Sequence, residues 1–275
     1  MKILYKLLIL TSLILFSGCG NEKKEISKIT ELDQELEMIN TYEDAMLSLE
    51  KGDYFFSSKK FLEAEMLFPQ SKWAPKSALM SAYSNYMNNF YSEAVFDLER
   101  YMSTYPKDEN MLYAHYLYAM CFYENIEDEK KDLAPLIKAR TKFEFILKEY
   151  PDTDFALDAS FKIDLINDIM ASKEMYIGRH YIKKEKWVAA INRFKTVIED
   201  YQTTIYVEEA IHRLVEIYYR IGLVEESKKY ANLLGYNYLS SDWYTKSYKI
   251  FDQKIETPKI KIEKNSLLKK FKKLF

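Results

Sequence analysis

Only two cysteines occur in 275 residues. With Cys19 set aside, no intramolecular disulfide framework can form, and Cys121, between Met120 and Phe122, reads as a packed core thiol. Glycine and proline number six each, so few positions break a helix. Period-two alternation is missing, as is any Asn-Gly or Asp-Gly pair, which argues against a hairpin-built fold. The three histidines, His115, His180 and His212, have no metal-ligand spacing to one another or to a cysteine. Neither a glycine-rich phosphate loop nor a Gly-x-Ser-x-Gly elbow occurs. The expectation is therefore a non-enzyme with no cofactor and no metal. A net charge of −2 supplies no basic excess for a nucleic-acid partner. Beyond Cys19 no apolar run approaches the roughly 18 residues of a membrane span.

What is present begins with MKILYKLLILTSLILFSGC, residues 1–19. Lys2 and Lys6 precede an apolar stretch from Leu7 to Phe16, and Ser17 and Gly18 lead into Cys19. The arrangement resembles a bacterial lipobox, which implies cleavage before Cys19 and lipidation of its thiol. Phe16 stands where such boxes usually carry Leu, and the alternative is a plain secretory signal with an incidental cysteine. Gly20 follows where inner-membrane retention usually uses Asp, so the resemblance implies a lipid-anchored protein at the periplasmic face of the outer membrane.

Aromatic residues make up 16% of the chain, a content that together with abundant Lys and Glu suits helices packed through bulky side chains. A repeat organises them. Pro69, Pro106 and Pro151 each follow an aromatic residue (Phe68, Tyr105, Tyr150). Twelve residues before each proline stands a small residue (Ser57, Ala94, Ala139), and four after that a large apolar one (Phe61, Leu98, Phe143). Ala190, Phe194, Tyr201 and Gln202 repeat the frame with Gln in place of Pro, and Ser227, Ala231 and Tyr238 form a weaker fifth copy. A small and a large residue four apart share one helix face, where the small one admits a neighbouring helix and the large one fills the groove. The proline then ends the helix. This is the second helix of a tetratricopeptide unit, although the anchor spacings of 37, 45, 51 and 37 residues all exceed the basic period of about 34. First helices are visible over Trp73–Asn88 and Met111–Glu124.

The excess spacing falls in two places. Asn125–Asp132 is a charged insert, with Pro135 opening the next helix. Thr153–Lys186 lacks proline, holds only Gly178, and reads as one overlong helix or as two with a break near Ser172. The expected fold is all-α, a tetratricopeptide-repeat superhelical solenoid of about five helix pairs with an overlong helix around 153–186. Its divisions are a signal over 1–18, a flexible tether over 19–39, repeats over 40–241 and an extension over 242–275. Residues 259–275 carry seven lysines and one glutamate, and Leu267, Leu268, Phe271, Leu274 and Phe275 fall close to one helical face. Such a segment could lie on an anionic surface, pack on a partner, or stay solvated.

With lipobox and repeats placed, the chain resembles the BamD family of lipoproteins of the β-barrel assembly machinery. The resemblance covers about residues 40–240 and is strongest over Tyr176–Tyr219, in Trp187-Val188-Ala189-Ala190, Asn192-Arg193 and Asp200-Tyr201. Gln202 departs from a usual Pro, and Glu208 and Glu209 stand where a basic side chain is usual. The resemblance implies docking to the POTRA domains of a barrel-forming assembly protein through the C-terminal repeats. It also implies reception of unfolded outer-membrane proteins by the N-terminal repeats and the company of accessory lipoproteins. Client-binding candidates are Tyr54, Trp73, Tyr83 and Tyr86, on or beside first helices, which face the concave side of such stacks. Partner-docking candidates are Arg193, Arg213, Tyr218 and Arg220. The competing reading is another periplasmic repeat scaffold, such as a cell-division coordinator, against which residues 20–50 are too short and irregular for a coiled coil.

Overall fold

A computed structural model describes residues 31–125 and 133–252. The described residues form eleven α-helices and no strand. In order they are α1 (Glu31–Glu50), α2 (Tyr54–Leu67), α3 (Ala74–Met87), α4 (Tyr91–Thr104), α5 (Met111–Glu124), α6 (Ala134–Glu149), α7 (Asp154–Lys183), α8 (Trp187–Asp200), α9 (Val207–Arg220), α10 (Val224–Asn237) and α11 (Asp242–Asp252). Taken in sequence the first ten make five pairs, so the fold is all-α and of the tetratricopeptide type. Two compact units divide within α3, one up to Ser81 and one from Ala82.

The repeat frame is the packing code. Ser57, Phe61, Ala94, Leu98, Ala139, Phe143, Ala190, Phe194 and Ser227 are fully buried, and Ala231 is nearly so. A third buried position, seven residues after each anchor, holds Ala64, Tyr101, Ile146, Val197 and Leu234, completing an i, i+4, i+7 stripe. Where the anchor is serine, its hydroxyl reaches the backbone of the preceding helix twelve residues back. Ser57 Oγ donates to the Ala45 carbonyl at 3.0 Å and Ser227 Oγ to the Val215 carbonyl at 2.8 Å. Each second helix ends ten residues after its anchor. That holds for α8 even without proline: Gln202 Nε2 donates to the Glu199 carbonyl at 3.2 Å, satisfying a helix-end acceptor.

The turn inside four of the pairs is also common to them. Five residues before the anchor the backbone is left-handed at Gly52 (φ 78°), Asn89 (φ 59°), Glu185 (φ 56°) and Gly222 (φ 84°). Glycine takes that conformation without strain; a glutamate does not.

In the first unit, α1 packs on α2 through Met38, Tyr42 and Ala45. Burial of Met38 draws helix back to Glu31, so residues 31–39, expected in the tether, are helical. In the second unit α7 runs unbroken for 30 residues, about 45 Å, which decides between the one-helix and two-helix readings. Thr153 caps it, its Oγ1 accepting from the Ala156 N–H at 3.2 Å. The first half of α7 gives Ala156, Ala159 and Ile166 to a core shared with α5 and α6. The second half gives Ala171 and Met175 to the core of α8 and α9. There Gly178 allows the Phe194 ring so close that a Cβ would sit 2.7 Å from it. Part of the expected extension, α11, packs on α9 and α10, with Trp243 and Tyr244 against the same core. The leader, Cys19, the centre of the charged insert and the basic segment 259–275 lie outside the described residues.

Candidate functional site

First helices of the second unit gather a tyrosine face. Tyr83 and Tyr86 of α3, Tyr113 and Tyr116 of α5 and Phe155 of α7 are all half-buried. Rings meet at 4.9 Å between Tyr116 and Phe155, 6.0 Å between Tyr113 and Phe155, and 5.8 Å between Tyr86 and Tyr91. Tyr116 Oη donates to Asp158 Oδ2 at 2.5 Å, which fixes that ring across α5 and α7. Burial, aided by neighbouring Glu124, pushes Tyr86 up to about 12, and burial with Tyr83 alongside takes Tyr113 to about 12. Tyr116 is raised by burial and by its bond to Asp158. All three stay neutral phenols at physiological pH. The face thus offers apolar ring edges with hydroxyl donors, the chemistry that covers an aromatic side chain and bonds a peptide carbonyl.

Of the four expected client residues, Tyr83 and Tyr86 belong to this face. Tyr54 and Trp73 lie in the first unit. Trp73 packs on Tyr42 at 5.3 Å against the core there, with Lys76 Nζ 5.3 Å from its ring, and Tyr54 opens α2 half-buried. Tyr116, Phe155 and Asp158, which complete this face, were not among the expected residues. The signal for Tyr116 and Asp158 is a contact 42 residues apart in sequence, which no local pattern carries.

The arginine candidates sit at the other end of the second unit and are largely engaged. Arg193 Nη1 bonds Glu174 at 3.0 and 3.1 Å. Arg213 bonds Glu209 through Nε and Nη2, both 3.2 Å, and Glu216 through Nη1 at 2.7 Å, with its guanidinium 5.7 Å from the Trp243 ring. Arg179, missed by the sequence reading, takes Glu209 from α7 at 3.1 Å with both Nε and Nη2. Glu209, an apparent departure from the family pattern, is therefore the acceptor that joins α7 to α9. Glu208 accepts from Ser241 Oγ. Tyr218 is buried and stacks on Tyr230 at 5.5 Å. Arg220, the exposed member, lies 5.4 Å from the Trp187 ring.

Beside this network Ser247 Oγ, His212 and Glu216 follow the order of a hydrolytic triad, at 2.8 Å and 3.5 Å. Ser247 is fully buried and His212 nearly so, hence no substrate carbonyl can reach the hydroxyl. The trio fastens α11 to α9. Burial raises the Glu216 pKa, but bonds from His212 and Arg213 outweigh it and hold the carboxyl at about 2.

Paired helices with an aromatic face and cross-braced arginines define a helical-repeat protein of the scaffold class. Residues 34–234 match the YfiO family of outer membrane lipoproteins, and the chain belongs to that family. It is 39% identical over 236 residues to the outer membrane protein assembly factor BamD of Caulobacter vibrioides, covering 86% of this chain and 76% of that one. The factor of the same name from Rickettsia prowazekii is 36% identical over 249 residues, covering 90% and 96%. That of Neisseria meningitidis serogroup A is 26% identical over 254 residues, covering 88% and 95%. No described helix is long and apolar enough to cross a membrane.

Proposed function

We propose that this chain is an assembly factor for outer-membrane proteins, held at the periplasmic face of the outer membrane through lipid on Cys19. Its work is non-covalent: it holds a barrel-forming, POTRA-containing assembly protein and unfolded outer-membrane clients, alongside accessory lipoproteins. The observation that carries this reading is the similarity over most of the chain to proteins named BamD. Within it, the tyrosine face is the client site. Its neutral phenols and ring edges suit an extended segment that offers aromatic side chains and peptide carbonyls, and a face already packed costs little ordering entropy on binding. The arginine end is the docking site for the assembly partner. Because Arg193 and Arg213 also brace the fold, Arg220 is the member whose reversal tests docking with least damage.

Affinity purification of the full chain from detergent-solubilised outer membranes tests the proposal. Recovery of the barrel-forming POTRA protein, reduced at least tenfold by Arg220→Glu, is expected. Recovery of division or wall-synthesis proteins in its place refutes the reading. A photo-crosslinker replacing Tyr86 should trap the final strand of a client; adducts elsewhere on the helices with none there remove the face.

A further inference from the structure

The outer side of α7 carries an apolar ladder that neither the tyrosine face nor the arginine network uses. Leu157, Phe161 and Leu165, four residues apart, are 61%, 59% and 49% exposed. At 100° per residue they share an arc of about 120° with Asp154, Asp158, Asp164 and Asp168. Asp158 accepts from Tyr116, while Asp154, Asp164 and Asp168 form no ion pair among the described residues. An apolar ladder edged by carboxylates is a complement awaiting a cationic amphipathic partner. An anionic lipid surface would be repelled by it.

We propose that the occupant is this chain's own basic segment, residues 259–275, lying along the first half of α7. Its seven lysines are opposite in charge to the aspartates, and Leu267, Leu268, Phe271, Leu274 and Phe275 match the ladder. Leu267–Phe275 and Leu157–Leu165 are each nine residues long. Reach is sufficient. Fifteen residues from Asp252 to Leu267 extend up to about 50 Å. Trp243, at the start of α11, is tied through Arg213 and Glu209 to Arg179, and Arg179 stands about 21 Å along α7 from Leu165. Even if α11 points directly away it adds only about 16 Å.

Zero-length carbodiimide coupling of the full-length chain tests this, on an equal mixture of isotopically light and heavy protein read by mass spectrometry. The expected result is isopeptide links from Asp164 or Asp168 to lysines of 259–275, in peptides of one isotope only. Yield should be at least tenfold above that at the exposed Glu225, and should fall at least fivefold in 1 M salt and in Phe161→Ser. Links between light and heavy chains overturn the proposal in favour of a second copy's segment. Absence of links, yields equal to those at Glu225, or no effect of Phe161→Ser overturn it altogether.

Discussion

Replacing Gly178 with alanine sets two well-measured effects against each other. In an exposed helix interior the change stabilises by about 1 kcal/mol, because alanine has less backbone freedom to lose. At this position the new Cβ would stand 2.7 Å from both Cε1 and Cζ of Phe194, whereas carbon atoms rest at about 3.5–4.0 Å. Relief requires a ring displacement of about 1 Å, and Phe194 is fully buried in a core that includes Met175, Ala190, Val197 and Leu214. Overpacking of this kind costs about 1–3 kcal/mol. Set against the gain of about 1 kcal/mol, the overlap leaves Gly178→Ala destabilised by up to about 2 kcal/mol. In urea, with a slope of about 2 kcal/mol/M, the midpoint falls by up to about 1 M. Far-UV circular dichroism of the purified chain reads it. Phe194→Leu supplies the second arm: it destabilises alone by loss of volume, yet in its background Gly178→Ala should become neutral or stabilising, a coupling of at least about 1 kcal/mol. A raised midpoint for Gly178→Ala alone, or strict additivity in the double variant, would refute the close-packing account.

Glu216 gives a pH signature. Its carboxyl is held at about 2 against an ordinary 4.5, so its stabilisation is complete above pH 4.5 and lost as pH falls through about 2. The side chain is 39% exposed, and solvent screening cuts a full linkage value of about 3 kcal/mol to about 1–2 kcal/mol. Glu216→Gln should therefore cost about 1–2 kcal/mol at pH 7 in urea unfolding, the gap closing as pH drops from about 5 to 2; a gap constant across that range would contradict the assignment. Glu185, with φ 56°, should be improved by Glu185→Gly by about 0.5–1 kcal/mol, since relief of left-handed strain exceeds the entropy that glycine adds to the unfolded chain. A lower urea midpoint for that variant would show the turn to be unstrained.

The second helices were legible in the sequence because their code is local. Ser57 and Phe61, or Ala190 and Phe194, lie four residues apart on one face, and the aromatic-proline pair marks the end. The helix start at Glu31 was hidden because residues 20–39 are mostly charged and polar, whereas burial of Met38 depends on packing against α2. Gly178 stood out as the one glycine in a long helix, but its purpose depends on a phenylalanine sixteen residues away across a turn. Tyr83 and Tyr86 were picked from their helix. What completes their face, Phe155 and the Asp158 anchor of Tyr116, comes from a helix four further along the chain. Arg213 read as an interface arginine, and nothing in the linear sequence showed that Glu209 would be shared with Arg179, 30 residues upstream.

The length of α7 has a mechanical corollary. One uninterrupted rod enters the core of α5 and α6 at one end and the core of α8 and α9 at the other, so neither neighbourhood can melt without breaking the rod or carrying the other with it. Tetratricopeptide arrays generally fray one repeat at a time. Here the third and fourth repeats are expected to open as a single block, with backbone amides from α5 through α8 exchanging with solvent at one common free energy. A load applied to one partner at one end of that block would be passed to the other end as displacement rather than absorbed in between.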